Sequence, residues 1–368
     1  MKSAVAVSLP QASTSETLPA PHFLRLHRAE LEGVAEVTSP PQPPFPPFRP
    51  HVLVRGGHAQ TISGLFFPGD IRDPQAARHV VRLEDGDAVV LHDEIPTNWR
   101  PGGPCALLVH GLTGDASSSY MIRTARKLCD RGVRAFRMDM RSAGAAWGLS
   151  RRPYHAGCSK DVHVALEYIA ELTDGGPTGL VGYSLGGNII LKLLGERPDD
   201  VPATLARAIA INPSIELAAC SRGLERPINR IYAKHFVRAM CKHLVKATDL
   251  IDRHKITALS RTVRFIREFD DLYTAPMSGF KCVDEYYAAC SAARFASNIR
   301  IPTLIVAAED DPLVPADVFR RASISPTTQV HLAPSGGHLG FIGRAGVDRD
   351  RRWMDWRVVD YIAGPEVA

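Results

Sequence analysis

Nothing in this chain of 368 residues is long and apolar enough to cross a bilayer, because no run approaches the ~18–20 residues of a helical span. Cysteine is scarce and unpatterned. The seven cysteines, Cys105, Cys129, Cys158, Cys220, Cys241, Cys282 and Cys290, are odd in number and form no C-x-x-C pair. That excludes a disulfide frame and a zinc site, and reads as reduced thiols in a cytoplasmic protein. Strong charge is missing as well: a net +5 spread along the chain gives no basic footprint for nucleic acid. Lys2 is followed only by a short apolar stretch from Ala4 to Leu9, too short for a secretory signal. No Walker motif, no dinucleotide fingerprint and no metal-ligand spacing occurs, so neither cofactor nor metal is expected. An apolar share of 45% and a charged share of 23% leave an ordinary globular protein, long enough for one large α/β domain or two small ones.

What is present centres on Val181-Gly182-Tyr183-Ser184-Leu185-Gly186-Gly187. The apolar run Gly179-Leu180-Val181 precedes it, and the helix-like run Asn188-Ile189-Ile190-Leu191-Lys192-Leu193-Leu194 follows. Strand, tight turn and helix around G-x-S-x-G read as a nucleophile elbow. A serine on so sharp a turn is strained, and the small residues Gly182 and Gly186 make room for it. The helix that opens there aims free N–H groups at the site and favours developing negative charge.

Along the chain, residues 1–50 read as an appendage. A short helix is expected over His22 to Val37, and seven of the twelve positions from Ser39 to Pro50 are proline. Such a segment favours polyproline II and cannot enter a sheet. His79 to Leu83 and Ala88 to His92 flank Glu84-Asp85-Gly86-Asp87 as a β-hairpin. Cys105 to Val109, Val133 to Met138, Gly179 to Val181, Ala206 to Ile211, Thr303 to Ala308 and Gln329 to Leu332 read as further strands. Helical spacing runs over Tyr120 to Asp130, Asp161 to Leu172 and Trp353 to Ile362. Strands alternating with helices give a mostly parallel sheet covered on both faces, the α/β-hydrolase architecture, over residues 51–368.

Between Leu217 and Arg300 no strand is expected, only helical patterns. A helical lid inserted at about 218–300 would cover the C-terminal edge of the sheet, where ligands of such folds bind. Arg226, Arg230, Lys234, Arg238, Lys242 and Lys246 recur there at i+4 spacing, with Ile228, Ile231, Tyr232, Phe236, Ala239, Met240 and Leu244 at neighbouring angles. This is an amphipathic helix with a basic stripe. The stripe is either a solvated face or a weak docking surface for an anionic membrane.

A serine nucleophile needs a base, and the base needs an orienting acid, in the chain order Ser, Asp or Glu, His. After Ser184, His235, His243 and His254 fall in the lid and His331 inside a strand. His338, in Ser335-Gly336-Gly337-His338-Leu339-Gly340-Phe341, follows the last strand, where the base belongs. The acid should leave the preceding strand, in Glu309-Asp310-Asp311-Pro312-Leu313-Val314-Pro315. Asp311 is the choice and Asp310 the alternative. The backbone N–H groups of Leu185 and Leu112 are the expected oxyanion donors. His110, before Gly111, reads as loop-shaping, and His58 as structural.

With these residues placed, the sequence resembles the YheT-like branch of the α/β-hydrolases, which also holds embryogenesis-associated plant proteins and mammalian abhydrolase-domain proteins. The resemblance runs from about Phe48 to the end. It rests on Gly57-His58-Ala59-Gln60-Thr61, His110-Gly111-Leu112, Gly182-Tyr183-Ser184-Leu185-Gly186-Gly187-Asn188, Ala219-Cys220-Ser221, Ile266-Arg267-Glu268-Phe269-Asp270-Asp271, Asp310-Asp311-Pro312 and Gly336-Gly337-His338-Leu339-Gly340-Phe341. It implies hydrolysis of carboxylic esters, with short-chain esters or acylglycerols as substrates. Arg141-Ser142 departs from the Arg-Gly usual in the branch, which bears on the loop near the pocket. The same triad also serves acyl transfer and thioester hydrolysis. A non-catalytic ligand-binding member of the fold is the reading from another class.

Overall fold

The computed structural model describes residues 45–71, 76–246 and 262–364, all within one compact unit, Ser39–Ala368. The helix expected over 22–37 and the first half of the proline-rich run, 39–44, lie outside the described residues, as does the stretch 247–261 of the expected lid.

Eight strands form one sheet: β1 (Ala77–Arg82), β2 (Ala88–Glu94), β3 (Cys105–Val109), β4 (Arg134–Asp139), β5 (Thr178–Tyr183), β6 (Leu205–Ile211), β7 (Thr303–Ala308) and β8 (Thr328–Ala333). Their order is β1-β2-β4-β3-β5-β6-β7-β8. β1 pairs antiparallel with β2, and β2 with β4; every later pairing is parallel. The leading hairpin turns where the D-G dipeptide stands, with Gly86 at φ +84°.

The central strands are apolar on both faces because helices cover both. Leu107, Val109, Leu180 and Ile305 pack on one side with Val162, Leu166 and Ile169 of α3 (Ser159–Leu172) and Ile189 and Ile190 of α4 (Leu185–Glu196). Ala106, Leu108, Val181 and Leu304 point the other way, toward Met121, Ala125 and Leu128 of α2 (Ser119–Asp130) and Val358 and Val359 of the closing helix Trp353–Ala363. This is the two-residue alternation of a strand. Burying a Leu or Val of this kind stabilises by roughly 1.5–3 kcal/mol. The end of the proline-rich stretch packs here too: Phe48 lies edge-on to Phe341 and Trp353, and Trp353 Nε1–H donates to the Pro46 carbonyl at 2.8 Å.

A short helix, α1 (Gly57–Phe66), precedes the sheet, a helix that sequence patterning did not reveal. Between β6 and β7 the described residues carry helices and no strand: α5 (Leu217–Glu225), α6 (Arg230–Lys246), a helical stretch over 266–277 that includes a π-helical turn at Asp270–Thr274, and α7 (Val283–Cys290). Leu224, Ala233, Val237, Cys241, Leu244, Ile266 and Phe269 form a small core of their own beside Leu313. Arg226, Arg230, Lys234, Arg238 and Lys242 are exposed. Ile228 and Ile231, grouped by spacing with the apolar face, are exposed as well. The packed face of α6 runs through Ala233, Val237, Cys241 and Leu244; at about 100° per residue, Ile231 falls opposite it, beside Arg238 and Lys242.

β3 and β5 are neighbours, yet the chain leaves β3 toward β4 on one side and returns to β5 on the other. The crevice at such a reversal, outside the C-terminal strand ends, is where open α/β sheets bind ligands. The loops after β3, β5, β6, β7 and β8 all meet there.

Candidate active site

Ser184 sits between the last residue of β5 and the first of α4, at φ 50° and ψ −114°. Positive φ at a residue with a Cβ is strained, and the surroundings hold it. The Ser184 amide donates to the Ile211 carbonyl at 2.8 Å. A Cβ on Gly182 would stand 2.6 Å from the Gly186 carbonyl oxygen, and one on Gly186 would stand 2.4 Å from that of Val109. Both glycines are therefore required sterically.

Three of the sequence-selected side chains form one hydrogen-bonded line. Ser184 Oγ lies 2.9 Å from His338 Nε2. His338 Nδ1 lies 2.8 Å from Asp311 Oδ2. Asp311 is buried, and its other oxygen, Oδ1, accepts the Leu313 amide at 2.8 Å and the Val314 amide at 3.1 Å. With Oδ1 fully engaged, the carboxylate cannot swing away from the imidazole. Asp310 faces elsewhere: its Oδ1 accepts the Gly337 amide at 2.9 Å.

The imidazole is held from behind by the short helix α1. Thr61 Oγ1 accepts the His338 amide at 2.8 Å and donates to Gly57 O at 2.7 Å. Fully buried Gln60 accepts the Ile342 amide at 2.7 Å and donates to Val54 O at 2.7 Å. A Cβ on Gly337, at φ 60°, would meet Gly57 O at 2.3 Å, so the loop and the helix touch backbone to backbone. His58 does not reach Ser184, His338 or Asp311. It stacks on Tyr232 of α6 with Nδ1 3.0 Å from the phenol oxygen, a structural role.

Asn212, at the end of β6, was not singled out from the sequence. Its amide nitrogen donates to Asp311 Oδ2 at 2.7 Å and to Gly337 O at 3.3 Å. Its φ of 43° lies in the left-handed region that Asn tolerates better than most residues. An Asn before a Pro at a strand end is the only signal the sequence offered.

Leu185 opens α4, so its N–H has no partner within the helix. In the turn after β3, the amides on either side of Leu112 are taken: Gly111 N–H donates to the Tyr120 hydroxyl at 3.0 Å and Thr113 N–H to the Tyr154 hydroxyl at 2.6 Å. Burial pushes the Tyr120 phenol up to about 12 and that of Tyr154 further, which keeps both neutral acceptors. His110 is fully buried, bonded through Nδ1 to Gly111 O at 2.8 Å, with Nε2 accepting the Met140 amide at 3.3 Å. Burial lowers its pKa, so it shapes the loop as a neutral ring.

Ser142, where Gly is usual in the branch, keeps a glycine-like backbone at φ 56°. The departure leaves the turn in place with a strained, buried serine. Its neighbour Arg141 is bound by Asp161, Asp85 and Asp87 at 2.6, 2.6 and 2.8 Å, which fixes the loop beside the pocket.

Ser184 and His338 face a cavity of about 110 Å³ under the lid, lined also by Leu112, Leu185, Phe236, Met240, Leu313 and Tyr287. A second cavity of about 230 Å³ adjoins it, sharing Leu112, Tyr154, His155, Met240 and Thr274.

A half-buried serine bound to a histidine, itself bound to a buried carboxylate, at the C-terminal edge of a mostly parallel sheet defines an α/β-hydrolase. The family model described as serine aminopeptidase, S33 (Hydrolase_4) matches residues 104–342, and the chain belongs to that family. Within it the chain is a member of the YheT-like branch of esterase- and lipase-type enzymes. It is 30% identical to YheT of Escherichia coli (strain K12) over 83% of this chain and 89% of that one. It is 28% identical to phospholipase ABHD3 of Mus musculus over 65% of this chain and 58% of the mouse protein, so it spans little more than half of that relative. Among solved structures, the 2,6-dihydroxy-pseudo-oxynicotine hydrolase matches with a TM-score of 0.52 at 19% identity, covering 80% of this chain and 70% of the other, which shows the shared fold.

Proposed function

We propose that the chain hydrolyses carboxylic esters through an acyl-enzyme intermediate on Ser184, with short-chain esters or acylglycerols as substrates. The observation that carries this reading is the unbroken line from Ser184 Oγ through both His338 nitrogens to Asp311. Ser184 Oγ attacks the ester carbonyl carbon while His338 Nε2 takes its proton. The carbonyl electron pair moves onto oxygen, and the Leu185 and Leu112 amides stabilise it. The intermediate collapses, the C–O bond breaks, and His338 returns the proton to the departing alcohol. Water then attacks the acyl-serine with His338 again as base, releasing the acid and Ser184. Asp311 holds the ring with Nδ1 protonated and stabilises the imidazolium. One oxyanion donor is worth roughly 10²–10³ in rate.

The small cavity under the lid supports small acyl groups, and the adjoining one gives room for a longer substituent. The relationship to a phospholipase supports acylglycerol-like substrates. The test is a p-nitrophenyl ester series of rising chain length with an acylglycerol beside it, assayed with wild type and Ser184→Ala. Hydrolysis that vanishes in the variant supports the reading; turnover retained in a pure variant overturns it.

A second reading concerns where the substrate is met. Exposed Arg230, Lys234, Arg238 and Lys242 share the outer face of α6 with exposed Ile231, a mixture suited to weak docking on an anionic lipid surface. Among the described residues no helix is long and apolar enough to cross a membrane. All seven cysteines are unpaired, which supports a reducing cytoplasmic compartment. Co-sedimentation with phosphatidylglycerol vesicles, but not with neutral ones, is the expected result; equal binding to both would overturn the electrostatic reading.

A further inference from the structure

Two buried polar groups in the wall of the catalytic cavity have no task in ester hydrolysis. Ser221 of α5 is 5% exposed, and its Oγ has no hydrogen-bond partner among the described residues. Asp270 is 6% exposed and opens the π-helical turn of the lid; such turns are frequent at functional sites. Its Oδ2 accepts the Tyr287 hydroxyl at 2.8 Å, the nearby Thr274 hydroxyl also favours its charged form, and no ion pair joins it among the described residues. Tyr287 stands beside both groups: it donates to Asp270, and Ser221 is near enough to influence its ionisation without meeting hydrogen-bond geometry. Ser221, Asp270 and Tyr287 all line the same cavity as Ser184 and His338. Apart from Thr274, the rest of that lid wall is apolar or aromatic, with Leu217, Leu224, Phe236, Ile266 and Tyr286 among it.

Buried polar groups are almost always satisfied, so an orphan hydroxyl beside a carboxylate in a ligand cavity asks for a ligand atom. Burial lifts the Asp270 carboxyl to about 6, so at neutral pH it is chiefly an anion with acceptor capacity left over. Ser221 supplies the complementary donor. An ammonium group would satisfy Asp270 but give the Ser221 O–H nothing to donate to. A hydroxyl group satisfies both, since it donates one bond and accepts another.

We propose that Ser221 and Asp270 form a specificity subsite for a hydroxyl group of the ester substrate, which donates to the Asp270 carboxylate and accepts from Ser221 Oγ. This rests on the esterase reading and deepens it. The hydroxyl belongs either to the alcohol part, as in a glycerol ester, or to a hydroxylated acyl chain.

The experiment compares kcat/KM within matched pairs, using the full chain. Glyceryl monobutyrate against propyl butyrate tests the alcohol side. Methyl ω-hydroxyhexanoate against methyl hexanoate tests the acyl side. Choline butyrate against its uncharged tert-butyl isostere tests a cation. We expect the hydroxylated member of one of the first two pairs to be preferred by about tenfold or more, because a site built for a hydroxyl rejects the analogue lacking it. In Ser221→Ala and in Asp270→Asn the ratio should fall toward one. Ratios are read because a general loss of activity cancels in them, and Ser221→Ala breaks no hydrogen bond within the fold. A wild type without preference in both hydroxyl pairs, a preference untouched by Ser221→Ala, or a preference only in the choline pair would overturn the subsite while leaving ester hydrolysis standing. Failure to hydrolyse any ester would overturn the esterase reading and the subsite with it.

Discussion

Asp310 and Asp311 are adjacent in the chain and serve the same loop in different ways. Asp311 Oδ2 meets the His338 ring at 2.8 Å, whereas Asp310 Oδ1 meets the Gly337 amide at 2.9 Å. One carboxylate addresses the imidazole; the other tethers the backbone that carries it. Asp311→Asn should therefore lower kcat by roughly 10⁴, the size seen when the orienting carboxylate of a serine protease is neutralised. Asp310→Asn keeps an acceptor for the amide and should cost far less. Steady-state kinetics on the two variants decide the matter, and the reverse ranking would move the orienting role to Asp310.

The tether between α1 and the His338 loop makes a prediction about a residue that touches no substrate. Thr61→Val removes the acceptor for the His338 amide, while Thr61→Ser keeps it. An unmet buried amide costs about 1–3 kcal/mol. The Val variant should lose kcat by about tenfold or more with KM little changed, and Ser should restore it. Equal kinetics for both variants would show that α1 does not position the base.

The inserted helix α6 places Phe236 and Met240 in the wall of the cavity that Ser184 and His338 face, and Met240 also borders the second one. Truncating either to Ala should change the ratio of short- to long-chain ester turnover, with an effect on the order of 1–3 kcal/mol in fit. Melting temperatures measured alongside separate this from simple loosening of the lid. A ratio unchanged in both variants would mean that these residues hold the lid without selecting the acyl group.

Stability in acid should report the ion cluster under the closing helix. Fully buried Asp355 takes Arg123 at 2.8 Å and Lys127 at 3.0 Å, and these cations overcome burial to hold its carboxyl down at about 2, against 3.8 when exposed. A carboxyl depressed in the folded state stabilises it fully above the unfolded value, and that contribution is lost as pH falls from 3.8 toward about 2. The amount is roughly 2 kcal/mol at 1.36 kcal/mol per pH unit. Asp355→Asn should be destabilised by about 3–5 kcal/mol at pH 7, since buried Arg123 loses its carboxylate and Lys127 keeps only Asp350, and its deficit against wild type should shrink below pH 3. Denaturant melts at the two pH values test this; a deficit independent of pH would point to packing instead.

Much of this site could be read in the chain because the chemistry constrains local sequence. Ser184 needs its glycines, since Gly182 and Gly186 leave no room for a Cβ. His338 stands in a loop with positive φ at Gly336, Gly337, Leu339 and Phe341, and two of those residues are the glycines that marked it. The strands were legible because two covered faces demand continuous apolar runs. What stayed hidden depends on contacts between distant segments. Asn212 reaches Asp311 across 99 positions, and Thr61 reaches His338 across 277. Asn212 offered only its place before Pro213 and Thr61 only its place in the Gly57–Thr61 motif, and neither says which distant residue it meets. Ile228 and Ile231 do not join the packed stripe, because α6 starts only at Arg230, leaving Ile228 in the turn before it, and periodicity alone cannot say which sector of a mixed helix meets the core.

The central claim is that Ser184 Oγ is the nucleophile, and covalent trapping tests it most directly. The full chain treated with a fluorophosphonate ester should gain one phosphonyl group, located by peptide mass spectrometry on Ser184, with ester hydrolysis lost in proportion. Ser184→Ala should take up none. An adduct on another residue, or hydrolysis that continues once Ser184 is fully modified, would contradict the account.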